Sequence, residues 1–314
     1  MVTVKKYSVA CKAEWDTFVK ISKSPLFFFH RDFLEYHADR FIDASLVFYS
    51  DNKIIALLPA SQQGDVLVSH GGLTYGGLIF DSRIRSAEIA DVIVTMKEFA
   101  LENGYKKIVY KAIPYIFHTQ AAQEDIYFIT NVLNGRLVRR DMSCAIYLRE
   151  RLKLSKGRKW MLARARKNGL KVESSINWLD FHGLLSQVLL KYDAAPVHSA
   201  AELEYLHSKF PDNLMLKTVV VDQEVIAACL LFVFKKVVHT QYLATNEKGK
   251  ELGALDFLVE ECIAESQSAG FDYFSFGIST EKNGRYLNQG LIAQKEGFGA
   301  RGLCVDFYEI SLND

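Results

Sequence analysis

The chain has few of the residues that build disulfide frameworks or metal sites. Its five cysteines are an odd number, none of them is in CxxC spacing, and several lie within apolar stretches. They are expected to be reduced core residues of a cytoplasmic protein. The histidines are scattered without the spacing of metal ligands, so we predict no metal site.

Long apolar runs are also missing. No segment approaches the roughly 18 consecutive apolar residues that a membrane-spanning helix needs, so we predict no transmembrane segment. Residues 1–20 are interrupted by charges such as Lys5, Lys6 and Lys12, which is not the pattern of a secretion signal. Hydrophobic residues make up 49% of the 314 positions and charged residues 24%, a composition typical of a soluble globular protein with room for two domains.

What the chain does contain is one pattern of elements that occurs twice. The first half predicts strands at residues 45–50, 54–60, 65–69 and 107–111, with an amphipathic helix that ends at 103–104. The second half predicts strands at residues 216–221, 225–234, 239–245 and 273–277, with a helix that ends at 269–270. The pattern indicates an α/β fold with mixed sheets, built from two units related by internal duplication.

A strongly basic segment joins the two halves. Residues 151–171 contain nine basic side chains and no acidic one, although the whole chain carries a net charge of only +1. A helix is predicted at about residues 155–168, with Lys156, Lys159, Arg166 and Lys167 on one face. Such a stripe suits the phosphates of a nucleotide, a coenzyme or RNA, and it is also typical of a plain solvated helix face.

The order of elements in the second half resembles the GNAT acyltransferases. In that family, the loop before the central helix directs backbone N–H groups toward the coenzyme A pyrophosphate. The matching loop here is residues 246–253 (NEKGKELG). The resemblance therefore implies binding of acetyl-CoA or another acyl-CoA, at Lys248, Gly249, Lys250, Gly253 and Ala254.

The whole chain, at roughly residues 10–310, resembles the Fem-like branch, which carries two GNAT units in tandem. The segment at residues 161–172 (MLARARKNGLKV) is similar to the basic helix of that branch, and residues 276–298 are similar to its tail. The matching tail positions are Gly277, Ser279, Gly290, Leu291, Lys295, Phe298 and Gly299. The implied domains are an N-terminal GNAT-like unit at 1–150, a basic joining helix at 151–171 and a C-terminal GNAT-like unit at 172–314.

The resemblance implies transfer of an acyl group to an amine of a cell-envelope or surface-polysaccharide precursor, such as an amino sugar or a nucleotide sugar. The donor would be a coenzyme A thioester or, as in Fem-like transferases that build peptidoglycan, an aminoacyl-tRNA. Two alternatives of another class are a module that binds RNA or an anionic polymer, and a structural partner in a biosynthetic assembly. No DNA partner is expected.

Several residues are candidates for the site. Lys295 lies within the tail motif, where its charge would hold a substrate phosphate or offset an oxyanion. His70 and Tyr75 lie in a glycine-rich loop (VSHGGLTYGG) that the repeat aligns with Tyr242, and Tyr286 is a further proton donor candidate. For each of these residues, the alternative is a structural role in the core, in a turn or at the surface. The candidates for binding substrate phosphate are Lys159, Arg166, Lys167 and Arg301.

Overall fold

The structure is a computed structural model, and it describes residues 1–191 and 193–312. Two compact units divide the chain. The first unit contains Met1–Met142, Lys282–Tyr286 and the described residues from Cys304 onward. The second unit contains Ser143–Glu281 and Leu287–Leu303.

The helices and strands that begin before residue 143 form the first group. The helices are α1 (Lys12–Ile21), α2 (Arg31–Glu35), α3 (Ser86–Glu102) and α4 (Glu124–Asn131). The strands are β1 (Val2–Lys6), β2 (Ile42–Asp43), β3 (Leu46–Ser50), β4 (Lys53–Leu58), β5 (Ser61–Gln63), β6 (Val66–Val68), β7 (Ile79–Phe80), β8 (Lys107–Lys111) and β9 (Arg136–Tyr147).

The remaining elements follow residue 155. The helices are α5 (Lys156–Lys167), α6 (Trp178–Leu190), α7 (Ala200–Lys209), α8 (Glu247–Leu252), α9 (Ala254–Ser268) and α10 (Gln289–Glu296). The strands are β10 (Glu173–Ser175), β11 (Leu214–Val221), β12 (Glu224–Val233), β13 (Val237–Thr245), β14 (Tyr273–Ile278), β15 (Thr280–Glu281), β16 (Tyr286–Leu287) and β17 (Arg301–Ser311).

In the first unit, apolar faces of helix α3 and of the strands form one core. Ile89, Val92, Ile93 and Met96 recur at helical spacing on α3, and all four are fully buried. The strands form two sheets, one in the order β1-β3-β4-β7 and one that contains β17-β8-β6-β5-β2. Within the second sheet, β6 and β8 are parallel, whereas β17 and β8 are antiparallel.

The second unit is built around strands in the order β10-β11-β12-β13-β14, with the last part of β9 beyond β14. Of these pairs, β13 and β14 are parallel and the others are antiparallel. Helix α9 packs on this sheet through buried Leu258, Val259, Cys262 and Ile263. Strand β12 is buried along nearly its whole length because the sheet is covered on both faces.

The predicted fold class, mixed α/β with two units in tandem, is confirmed. Both units place a tight turn with two left-handed residues at equivalent positions, Asp51 and Asn52 between β3 and β4 and Asp222 and Gln223 between β11 and β12. One element differs from the expectation. The predicted loop at 246–253 is mostly helix α8, because the Asn246 side chain accepts a hydrogen bond from the Gly249 N–H group at 2.8 Å and caps it.

Candidate active site in the second unit

In the second unit, the parallel strands β13 and β14 are paired at their first residues and not farther along. Strands β13 and β14 pair only through Val237, Val238 and His239, which face residues 273–275. Beyond that point β13 continues to Thr245 and β14 to Ile278. The described ladder pairs do not join these continuations, so the backbone N–H groups along this edge are candidates for contact with a bound ligand.

His239 lies at the last pair before the strands separate. A hydrogen bond of 3.1 Å joins its Nδ1 atom to the Oγ atom of Ser275. Burial, together with the charge of Lys295, lowers the pKa of His239 to about 4. The imidazole is therefore neutral near pH 7, and in that state it can accept a proton.

Lys295 supplies a positive charge at the end of β14. Its Nζ atom donates to the carbonyl oxygens of Gly277 at 3.0 Å and of Ile278 at 2.6 Å, and to the Oγ atom of Ser279 at 2.8 Å. Burial lowers the pKa of Lys295 to about 8, so the ammonium form still prevails at neutral pH. The tail motif predicted from the sequence thus brings Gly277, Ser279 and Lys295 into direct contact.

Helix α10 positions the lysine. Its N-cap residue, Asn288, accepts a hydrogen bond from the Leu291 N–H group at 2.9 Å and donates its own N–H group to the Ser279 carbonyl, also at 2.9 Å. The start of the helix is therefore fixed to the segment that follows β14. Lys295 lies two turns later and points its side chain back to the same segment.

Gly277 allows the imidazole of His239 to lie close to β14. Its φ angle of 72° is in the left-handed region, and a Cβ atom placed there would lie 3.4 Å from the His239 Cε1 atom. A side chain at this position would strain the backbone, and its Cβ atom would be in van der Waals contact with the imidazole. The glycine therefore serves the geometry of the candidate site.

Tyr242, a predicted proton donor, lies on the same strand as His239. Its hydroxyl shares a hydrogen bond of 2.7 Å with the Nδ1 atom of His198. Burial raises the pKa of Tyr242, so the phenol is neutral at physiological pH. Its role in catalysis stays a prediction.

In the predicted coenzyme loop, the side chains and glycines contact other parts of the second unit. Lys248 forms an ion pair with Asp222 at 2.8 Å, and Lys250 forms one with Glu247 at 3.0 Å. Gly249 packs on strand β12, where an added Cβ atom would lie 2.2 Å from the Ile226 carbonyl oxygen.

Gly253 and Ala254, at the start of α9, lie beneath helix α5. A Cβ atom on Gly253 would lie 2.6 Å from the Met161 carbonyl oxygen, and Ala254 is fully buried. In the same turn, the Asp256 carboxylate forms an ion pair with Arg158. A carbonyl oxygen and a carboxylate thus lie where the GNAT resemblance expects an anion to bind.

Helix α5 is held on the second unit by two of the nine basic residues of its segment. Arg151 donates to both carboxylate oxygens of Glu260, at 2.9 and 2.7 Å, and Arg158 pairs with Asp256 and lies 5.0 Å from the centre of the Phe298 ring. The other seven are exposed: Lys153, Lys156, Lys159, Arg164, Arg166, Lys167 and Lys171.

The remaining predicted candidates divide between the units. His70 is buried in the first unit with its ring 5.2 Å from that of His37, and Tyr75 packs between Phe28 and Phe117 in the first unit's core. Burial lowers the pKa of His70 to about 3 and raises that of Tyr75. Tyr286 belongs to the first unit and is 49% exposed, and Arg301 is exposed in the second unit.

His239, Ser275 and Cys144 were missed by the sequence reasoning. Cys144 is a buried residue paired with Gly277, and burial raises the pKa of its thiol. The available signal was the alternation in β13, where His239 falls between buried Val238 and Thr240. That signal identifies a histidine in a largely buried strand. It does not reveal that Lys295 lies nearby, because Lys295 belongs to helix α10, far along the chain.

Comparisons with known proteins agree with this architecture. Residues 182–286 match the family model described as an acetyltransferase (GNAT) domain. The crystal structure of FemX has a TM-score of 0.69 at 11% identity and covers 99% of this chain and 98% of its own. A tandem GNAT protein from the clavulanic acid biosynthesis pathway has a TM-score of 0.55 at 8% identity, with coverage of 100% and 99%.

A third similar structure is the C-terminal domain of a putative lysylphosphatidylglycerol synthetase from Agrobacterium fabrum. Its TM-score is 0.63 at 15% identity, and the match covers 98% of this chain and 93% of that domain. A search of curated protein sequences found no match.

Residues 182–286 of the second unit thus match a GNAT acetyltransferase domain, and the chain as a whole has the fold of FemX and of tandem GNAT proteins. The predicted resemblance to the GNAT acyltransferases is confirmed, and that to the Fem-like branch is confirmed at the level of the fold. Among residues 1–191 and 193–312, no helix has the length and apolar character to cross a membrane. The same residues contain no group of three or more His, Cys, Asp or Glu side chains arranged to hold a metal ion.

Proposed function

We propose that this protein transfers an aminoacyl group from an aminoacyl-tRNA to an amine of a cell-envelope precursor, with the reaction at the open edge between β13 and β14. The observation that carries the choice of donor is the packing of helix α5 over the start of α9. The Met161 carbonyl oxygen lies against Gly253, where an acyl-CoA donor would place its pyrophosphate. A carbonyl oxygen repels an anion, so this position disfavours the coenzyme.

Helix α5 also offers a surface that suits RNA. Seven exposed cations lie along residues 153–171, and the ion pairs found among the described residues do not neutralise them. Trp160 is 61% exposed, and the Arg164 guanidinium lies 5.5 Å from its ring centre. Proteins bind single-stranded nucleic acid with cations that contact its phosphates and with exposed aromatic rings on which its bases stack.

The chemistry requires few groups. The acceptor amine attacks the ester carbonyl of the donor, and neutral His239 accepts the proton that the amine loses. The carbonyl oxygen becomes negatively charged in the tetrahedral intermediate, and the Lys295 ammonium and strand-edge N–H groups stabilise that charge. Collapse of the intermediate forms the amide and breaks the ester bond, and the ribose oxygen that leaves takes the proton from His239, which returns the imidazole to its neutral form.

The name of one similar structure supports the proposal that the transferred group is an aminoacyl group. It is named as a putative synthetase of lysylphosphatidylglycerol, in which an aminoacyl group is joined to a lipid of the cell envelope. The acceptor proposed for this chain, an amine such as that of an amino sugar, belongs to the same broad group of envelope molecules.

A second candidate is N-acylation from a coenzyme A thioester. It is favoured by the match of residues 182–286 to the acetyltransferase family model. The open edge of β13 and β14 suits an extended pantetheine arm as well as an aminoacyl end. In that case the pyrophosphate would have to bind away from Gly253.

The test compares the two donors directly. Purified protein is titrated with bulk aminoacyl-tRNA, uncharged tRNA and acetyl-CoA over a range of salt concentrations. Transfer from radiolabelled aminoacyl-tRNA and acetyl-CoA is then followed with glucosamine and a muropeptide precursor as acceptors. We expect tRNA binding that weakens steeply with salt and acceptor-dependent loss of the labelled aminoacyl group.

The Lys159→Gln/Arg166→Gln variant should lower the salt slope of tRNA binding by about one to two. The matched control is Lys209→Gln/Lys235→Gln, which removes two exposed charges elsewhere on the second unit and should leave the slope unchanged. Saturable acetyl-CoA binding together with acetyl transfer would instead establish the second candidate. Salt-dependent tRNA binding without transfer to either acceptor would point to an RNA-binding module.

A further inference from the structure

The second unit contains a cavity that the proposed reaction does not use. It lies between the last turns of helix α9 and the sheet, and its volume is about 440 Å³. Small-molecule sites span roughly 300–1,000 Å³, so the space suits a compact ligand. Most of its lining is apolar, and the residues that matter here are Met215, Leu231, Val233 and Val238 from the sheet and Cys262 and Ala269 from the helix side.

Strand pairing explains why one side of the cavity is apolar. Met215 lies opposite Leu231 in the β11–β12 pair, and Val233 lies opposite Val238 in the β12–β13 pair. Directly paired residues point to the same face of a sheet, and so do residues two apart in one strand. These four side chains therefore form the apolar floor of the cavity.

Helix α9 covers this face of the sheet unevenly. Toward the middle of the helix, Leu258, Val259 and Ile263 are buried, as is usual in a tightly packed protein core. Toward its end the space is left open, and both Ala269 and Ile176 at the cavity are exposed. A partly apolar ligand that covers this surface would gain the free energy of removing it from water.

One cation and one anion lie together at the cavity. The Lys217 Nζ atom and the Glu265 carboxylate form an ion pair at 2.7 Å. The Lys217 side chain is 14% exposed and the Glu265 side chain 55% exposed, so the pair lies at the boundary between the cavity and solvent. Both groups have further hydrogen-bonding positions beyond their mutual contact.

The two charges limit which ligands fit. A ligand with only a carboxylate would be repelled by Glu265, and a ligand with only an amine would be repelled by Lys217. A zwitterion avoids both repulsions, because its carboxylate can contact the lysine and its ammonium the glutamate. A free amino acid with an apolar side chain combines this charge pattern with a group that suits the apolar floor.

We propose that this cavity is a binding site for a free α-amino acid with an apolar side chain, such as leucine. The α-carboxylate binds the Lys217 ammonium, the α-ammonium binds the Glu265 carboxylate, and the side chain packs on the apolar floor. The inference does not depend on the identity of the acyl donor, because the residues assigned to the reaction do not line this cavity: His239, Ser275 and Lys295.

Calorimetric titration with three ligands of similar apolar size tests the site. L-Leucine carries both charges, 4-methylpentanoate lacks the ammonium, and 3-methylbutylamine lacks the carboxylate. We expect saturable binding of L-leucine. Each analogue should bind about tenfold more weakly or worse, because it loses a charge-assisted hydrogen bond and is repelled by one of the two side chains.

Two variants assign the preference to the ion pair. In Glu265→Gln, the preference for L-leucine over 4-methylpentanoate should fall to about twofold or less, because the anion that binds the ammonium is lost. In Lys217→Met, the preference over 3-methylbutylamine should fall in the same way. Each comparison is made between ligands within one variant, so a modest change in stability, followed by thermal unfolding, does not affect it.

The matched control is Glu247→Gln. It also removes an exposed, ion-paired glutamate of the second unit, one that pairs with Lys250 at 3.0 Å and does not line the cavity. This variant should keep the ligand preferences of the parent chain.

The proposal is overturned if L-leucine does not bind saturably at millimolar concentration, or if it binds no better than the two analogues. It is also overturned if Glu265→Gln keeps the parent's preference, since the amino acid would then bind elsewhere on the chain. The titrations contain no tRNA and no acceptor, so their failure leaves the proposed function intact.

Discussion

Among the described strand pairs, each unit has one that is parallel, β6 with β8 and β13 with β14, and the two pairs end in different ways. In the first unit, the ends of β6 and β8 are joined by further bonds. The Ser69 N–H group donates to the Val109 carbonyl at 2.9 Å, and the Lys111 N–H group donates to the Ser69 Oγ atom at 2.7 Å. In the second unit, the described pairing of β13 and β14 ends at His239, and no described ladder pair joins the two strands beyond it.

A buried lysine marks the end of each pair. Lys111 donates to the carbonyl oxygens of His70, Gly71 and Leu73, at 2.9, 3.4 and 2.6 Å, and so fastens the glycine-rich segment that follows β6. Lys295 comes instead from helix α10 and binds the end of β14 alone. Burial lowers the pKa of both lysines to about 8. A buried lysine thus joins two segments in the first unit and contacts only the end of β14 in the second, and the proposed reaction is placed in the second unit for this reason.

The largest expected effect comes from His239. The variant His239→Gln removes the proton acceptor, and turnover should fall by about a hundredfold or more. Because the side chain is partly buried and hydrogen-bonded to Ser275, the unfolding midpoint is measured as well and turnover is expressed per folded molecule. The measurement is kcat in the aminoacyl transfer assay, with His182→Gln in the same unit as the control. Equal activity in both variants would remove His239 from the mechanism.

The next effect is the pH dependence of transfer. His239 must be neutral to accept a proton and has a pKa of about 4, while Lys295 must be charged and has a pKa of about 8. Turnover should therefore rise through pH 4, stay level near neutrality and fall above pH 8, by about tenfold per pH unit. In Lys295→Arg the fall should move to much higher pH. An unchanged profile in that variant would contradict the role of Lys295.

A smaller effect is expected at Gly277. Gly277→Ala should reduce kcat by several-fold, because strain at the left-handed φ angle of 72° shifts the end of β14, where the Gly277 carbonyl oxygen binds Lys295. Gly270→Ala is a matched control. Gly270 also has a left-handed φ angle, 83°, but a Cβ atom there would have no neighbour within 4 Å. Both variants should lose about 1 kcal/mol of stability from backbone strain, and only Gly277→Ala should lose activity.

Much of the fold could be predicted from the sequence, because periodicity and turn residues are local. The helix ending near Gly104, the strands around residues 216–245 and the basic helix near residues 155–168 all occur where predicted. Helix α8 was not predicted, since it has only six helical residues and its formation depends on a capping hydrogen bond that the Asn246 side chain accepts from the Gly249 N–H group.

The candidate site was harder to predict because it depends on contacts between distant segments. Lys295 was found through the tail motif, but its three acceptors and its nearness to His239 follow only from the packing of α10 on β14. At the loop 246–253 the GNAT resemblance implied coenzyme binding, and this stays a prediction. In the structure, an added Cβ atom on Gly249 would meet strand β12, and one on Gly253 would meet helix α5.

The most direct test of the account compares Lys295→Gln with Lys111→Gln. Each substitution removes an ammonium group that donates hydrogen bonds to three oxygen atoms. Both variants should therefore lose a similar stability, about 1–3 kcal/mol. Turnover in the aminoacyl transfer assay, expressed per folded molecule, should fall by about a hundredfold in Lys295→Gln and stay near the parent value in Lys111→Gln. Equal turnover in the two variants, or a selective loss in Lys111→Gln, would contradict the assignment of the reaction to the second unit.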